Sequence, residues 1–178
     1  FITLFNVQFE INREINIILK YLIMDLKFIN IYNNFVKLTR NKELYKDFKI
    51  QDTFSDRLIF FLLHFAFFLK IYKNDKNKKV LQEIYDYIFR QMELSIREIG
   101  YGDQSINKKM KDYLNLFYGM IDKIDNWDNL NEESRSKILI EFLNNNANID
   151  FLVKYFEKYK IILLNNTLNS HIKGVVKP

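Results

Sequence analysis

The sequence predicts an all-α fold, a single compact helical domain of about six helices. Three observations carry that prediction. Apolar residues recur at intervals of three and four along nearly the whole chain, the spacing of one helix face. No stretch alternates apolar and polar residues for long enough to build a sheet. Only 4 glycines and 1 proline interrupt 178 residues, so turns are few. A chain of this length that is 48% hydrophobic and 28% charged can bury one sizeable core and does not read as disordered.

Residues 1–23 admit two readings. They are a fragment edge, or upstream sequence read in frame, or else an extra amphipathic helix, because Ile11, Ile15, Ile18 and Leu22 fall near helical spacing. Glu10, Arg13, Glu14 and Lys20 argue against a signal peptide. Leu26, Ile29, Phe35 and Leu38 mark a helix over about 25–40, and Leu44, Tyr45 and Phe48 follow in a short turn or helix. In KIQDTFSDR, Thr53 can cap the next helix with Asp56 three residues on, an acidic capping box. That helix carries LIFFLLHFAFFL, Leu58 to Leu69, which is too short to span a bilayer and reads as a core helix.

A solvated turn, KNDKNKK, leads to a helix over 79–99 whose face is Leu81, Ile84, Tyr85, Ile88, Phe89, Met92, Ile96 and Ile99. A helix over 105–126 carries Ile106, Met110, Tyr113, Leu114, Phe117, Ile121 and Ile124. Asn131 or a neighbour opens a helix over 132–145, and the last helix runs over 149–168. The domain is drawn over 24–170, with a tail at 171–178. There is no internal repeat and no low-complexity linker.

The chemistry-bearing residues are sparse. With no cysteine there is no disulfide, thiolate nucleophile or cysteine metal site. HExxH, GxxxxGK[ST] and GxSxG are absent. His64 and His171 are the only histidines. His64 sits among phenylalanines and reads as a satisfied core histidine, so no enzyme, cofactor or metal site is expected. The net charge of +5, from 27 basic and 22 acidic residues, suggests an anionic neighbour such as RNA or a lipid surface. Asp103, Asp112, Asp122 and Asp125 interleave with the lysines, which argues against a continuous nucleic-acid face; no DNA is expected.

Three of the glycines fall in REIGYGDQSINKKMKDYLNLFYG, residues 97–119. Gly100 suits the left-handed position after a helix. Gly102 is expected to let the chain turn sharply, and Asp103 or Ser105 to cap the next helix. Gly102→Val is therefore expected to lower the melting temperature. Gly119 lies inside a helix, where glycine costs about 1 kcal/mol, so another helix or a partner is expected to approach it. Lys108, Lys109 and Lys111 lie near the positive end of that helix, where lysine is mildly unfavourable. They read as a solvated face or, with Arg97, as a basic rim for an anionic partner. An apolar groove near Phe117, Tyr118 and Gly119 completes that second reading.

At these residues the chain resembles the ubiquinol–cytochrome c chaperone family. The matching stretches are LYKDFKIQDTFSDRLIFFLLHFAFFLK (44–70) and MELSIREIGYGDQSINKKMKDYLNLFYG (92–119), and the resemblance covers roughly 30–165. It implies signature positions at Asp52, Thr53, Asp56, Arg57, His64, Arg97, Glu98, Gly100, Gly102, Asp103, Lys108 and Phe117-Tyr118-Gly119. Lys49 and Gln51 stand where the family usually has glycine and proline. The resemblance implies a non-enzymatic assembly factor that holds newly made cytochrome b during biogenesis of ubiquinol–cytochrome c reductase. It implies cytochrome b as client, with a second assembly factor and the ribosome as further partners. Peripheral membrane contact fits the role. The expected place is the bacterial cytoplasm at the inner face of the membrane, or the mitochondrial matrix. The alternative is a basic helical module binding RNA, the ribosome or an anionic membrane.

Overall fold

The computed structural model describes residues 2–46, 53–143 and 148–177. Among them the chain is all-α. Its helices are α1 (Ile2–Thr39), α2 (Phe54–Tyr72), α3 (Lys78–Glu98), α4 (Asp103–Asp125), α5 (Glu132–Leu143), α6 (Ile149–Leu164) and α7 (Leu168–Lys173). Two 3-10 turns, Lys42–Tyr45 and Trp127–Asn129, complete the set.

Helix α2 organises the core because it is apolar on every side. Each of its faces meets a different neighbour. Phe68 lies edge-on to Phe35 of α1, with ring centres 5.4 Å apart. Phe65 stacks on Phe117 of α4 at 5.1 Å, and Phe67 stacks on Phe156 of α6 at 5.0 Å. Burying a Phe or Leu in this way contributes roughly 1.5–3 kcal/mol each, so α2 dominates the packing. Its start follows the sequence pattern. Thr53 Oγ1 accepts from the Asp56 amide at 3.3 Å, while the Asp56 carboxylate accepts from the Thr53 amide at 3.1 Å.

Helix α1 runs unbroken across residue 23, so the two amphipathic patterns near the N-terminus belong to one helix of 38 residues. Phe28, Ile31 and Phe35 bury its second half against the body. Residues 13–23 are all exposed. On α3 the buried face differs from the expected one at two positions. Tyr87 is fully buried beside Phe28, whereas Ile99, past the last turn, is exposed.

Asn131 opens α5 by accepting from the Ser134 amide at 2.8 Å. The final helical segment is broken after Leu164 because Thr167 and Ser170 form a second capping box, which starts α7. His171 of α7 is buried against Phe68 and Tyr72. Charged groups tie the far side of the bundle together. Glu157 accepts from Trp127 Nε1 at 2.6 Å and pairs with Arg135 and Lys160, while Asp128 pairs with Lys70 and Lys160.

Among the described residues no helix is long and apolar enough to cross a membrane. Phe48, Lys49, Gln51 and Asp52 lie outside the described residues.

Candidate functional site

The turn between α3 and α4 is built as the sequence suggests at one glycine and differently at the other. Gly100 has φ 96°, a left-handed conformation that favours glycine, and its amide donates to Arg97 O at 2.9 Å. Gly102 has φ −71° and ψ 156°, ordinary extended backbone. It is itself the N-cap of α4, and no side chain caps that end. The expectation that Asp103 or Ser105 caps the helix is thus corrected, and so is the sharp turn expected at Gly102. A Cβ at Gly102 would meet nothing within 4 Å.

Asp103 is used otherwise. Its carboxylate accepts from Arg97 Nη1 at 2.5 Å, and Arg97 also donates to Glu93 at 2.8 and 3.1 Å. Arg97 therefore braces the turn from within. Two carboxylates offset its charge, so it adds little to a basic rim. Lys109 lies over the Tyr101 ring at 4.4 Å, a cation–π contact across the same turn. Lys108 and Lys111 are exposed. Among the described residues no carboxylate pairs with either.

The Phe117-Tyr118-Gly119 triplet divides by helix geometry. Phe117 is fully buried between Phe65 and Phe89 and is a core residue, not part of an outer groove. Tyr118 is 56% exposed, and its hydroxyl lies 3.0 Å from that of Tyr85. Burial, and then this hydrogen bond, push the Tyr85 phenol well above its ordinary range. Around Gly119 a Cβ would meet nothing within 4 Å. Among the described residues no neighbouring helix comes within 4 Å of that position, which corrects one of the two expectations there.

Lys108, Lys111, Asn115, Tyr118 and Asp122 follow at intervals of three and four, and all are exposed. They form one solvent stripe along α4, with Gly119 bare beside Tyr118. At 1.5 Å per residue the stripe is about 21 Å long. Of the triplet only Tyr118 therefore shares a face with Lys108 and Lys111, about 15 Å along the helix from Lys108. A groove of about 540 Å³ is lined by Leu69, Leu81, Tyr85 and Ile121, with Lys73, Asp75 and Lys78 at its edge, and Tyr118 is tied to it through the Tyr85 hydroxyl. Tyr85 reads from periodicity as core. Only the packing of α3 on α4 places it at the groove.

Of the remaining signature positions, Thr53, Asp56 and His64 serve the start of α2 and the core. Thr53 and Asp56 cap α2. Arg57 lines an apolar cavity of about 170 Å³ with Phe54, Phe61 and Met92. His64 is fully buried, with Nδ1 2.6 Å from Phe60 O and Nε2 2.8 Å from the Tyr155 hydroxyl. Phe60 O can only accept, so Nδ1 carries the proton and Nε2 accepts from Tyr155. Burial holds the imidazole neutral by pushing its pKa down to about 4, against a smaller raising effect of the Phe60 carbonyl. Both ring nitrogens are thus engaged inside the core. Among the described residues no group of three His, Asp or Glu side chains could hold a metal ion.

The family model described as ubiquinol-cytochrome C chaperone matches residues 46–148. That span contains α2, the glycine turn and all of α4. Among solved structures, the chain is similar to the crystal structure of the Cbp3 homolog from Brucella abortus. The TM-score is 0.68 at 22% identity, covering 94% of this chain and 95% of that one. This likeness supports the fold. No curated protein sequence matches.

Proposed function

The chain belongs to the ubiquinol-cytochrome C chaperone family, and from that premise we propose that it binds newly made cytochrome b and supports assembly of the ubiquinol–cytochrome c reductase without catalysing a reaction. The observation that carries the reading is the family match across 46–148, which includes both ends of the α4 stripe.

The client segment lies along the outer face of α4. Lys108 and Lys111 meet anionic or carbonyl-rich parts of the client, and the groove beside Tyr85 takes an apolar side chain. Gly119, with no side chain, lets a client helix come close to the α4 backbone. The charge and size of this face suit a peptide surface. Asp103, Asp112 and Asp122 interrupt its basic character, which weighs against a nucleic-acid backbone as the main partner. Cytochrome b is a membrane protein, so the proposed place of action is the inner face of the bacterial membrane or the matrix side in mitochondria.

The test is affinity capture from the native host with the bound proteins identified by mass spectrometry. Enrichment of cytochrome b supports the reading, and its absence beside recovered RNA or lipid overturns it. Lys108→Glu with Lys111→Glu should abolish capture while leaving the melting temperature unchanged. Full capture by this variant would remove the basic end of the stripe from the site.

A further inference from the structure

The middle of α1 carries an apolar face that the described residues leave uncovered. Ile15, Leu19, Leu22, Leu26 and Ile29 follow at intervals of four, three, four and three. They are exposed by 48, 47, 53, 73 and 38%. The buried residues of the same helix, Phe28, Ile31 and Phe35, lie on another side, so this line points away from the core. Alternation of three and four is the spacing of helices that wind around each other and bury a seam between them.

We propose that this seam pairs with the same seam of a second copy of the chain, about a two-fold axis. Three features favour a second copy over other occupants. First, the line is self-complementary, as an isologous contact requires. It carries no charged residue over about 21 Å of helix. Second, its fringe, Arg13, Glu14, Lys20, Asp25 and Lys27, mixes both signs and lacks the large excess of cations that holds an amphipathic helix on a lipid surface. Asp25 pairs with Arg90 at 3.1 Å and Lys27 with Glu83 at 2.8 Å, so these charges are already balanced within the chain. Third, the five residues, with Ile18 and Ile23 beside them at 64 and 62% exposed, leave apolar surface on the order of several hundred Å². That approaches the roughly 800 Å² per partner of a stable interface.

The proposal is independent of the client reading, because the seam lies on α1 and outside residues 46–148. Client binding and pairing can therefore succeed or fail separately. The test is sedimentation velocity with light scattering, on the full chain, from nanomolar to high micromolar concentration. The expected species at the upper end has about twice the 21.7 kDa of one chain. Leu22→Glu with Leu26→Glu should shift the dimer midpoint by at least about 100-fold, with an unchanged melting temperature. Lys20→Glu, a charge off the seam, should leave the midpoint in place. A wild-type chain that stays monomeric throughout overturns the proposal. Flotation of that monomer with vesicles of anionic phospholipid would assign the face to lipid instead. A dimer that survives Leu22→Glu with Leu26→Glu also overturns it, because its interface is then elsewhere.

Discussion

Replacing Gly119 by alanine should make the protein more stable and worse at holding its client. Glycine in a helix interior costs about 0.8–1.0 kcal/mol relative to alanine. The cost is usually offset by a neighbour that needs the space, yet a Cβ here would meet nothing within 4 Å. The full gain of about 1 kcal/mol should therefore appear, raising the melting temperature of a chain of this size by about 2–4 °C. Thermal unfolding followed by circular dichroism measures it. The second half of the prediction needs a larger side chain. Gly119→Leu keeps good helix propensity and stands out into the open space beside Tyr118. Capture of cytochrome b should fall sharply in this variant while the melting temperature stays above wild type. A lower melting temperature for Gly119→Ala would refute the reasoning about open space. Undiminished capture by Gly119→Leu would refute close approach of the client at this point.

Three further outcomes follow from the geometry. Gly100→Ser should lose roughly 1–2 kcal/mol because φ 96° is left-handed, whereas Gly102→Ser should hold or slightly raise stability by supplying a cap; equal losses at both would contradict the backbone argument. Tyr87→Phe should be neutral or stabilising by up to about 1 kcal/mol, since the Tyr87 hydroxyl is buried without a hydrogen-bond partner among the described residues; a clear loss would mean that the hydroxyl has one.

The third concerns acid. His64 titrates near 4 in the fold against 6.5 in the unfolded chain, so the unfolded chain takes up the proton first. Stability from this group is full above pH 6.5. It declines as the pH falls toward 4, by about 1.4 kcal/mol per unit. His171, also pushed down to about 4 by burial, acts in the same sense. Denaturant melts at about pH 7.5 and about pH 5 that give equal stabilities would refute it.

Helix type and most helix limits were legible because they depend on local order. The apolar run of Leu58–Leu69, the Thr53–Asp56 box and the left-handed Gly100 each act within a few residues, and each stands where its pattern put it. The site was less legible, because exposure depends on which helix covers which. Phe117 and Tyr118 are adjacent in sequence and alike in chemistry. One is buried by Phe65, and the other faces solvent beside Tyr85. Both glycines of the turn were expected to be required by the backbone, and only Gly100 adopts a conformation that needs glycine.

By itself, the sequence determined that the chain is helical, where its core helix starts and stops, and to which family it is similar, because periodicity, capping and motif are written in neighbouring residues. Tertiary structure alone decided that Arg97 is spent on Glu93 and Asp103, that Tyr85 lines a groove and meets the Tyr118 hydroxyl, that a side chain at Gly119 would enter open space, and that the α1 seam stays exposed. Those facts depend on residues distant in the chain meeting, or failing to meet, and no local pattern records that.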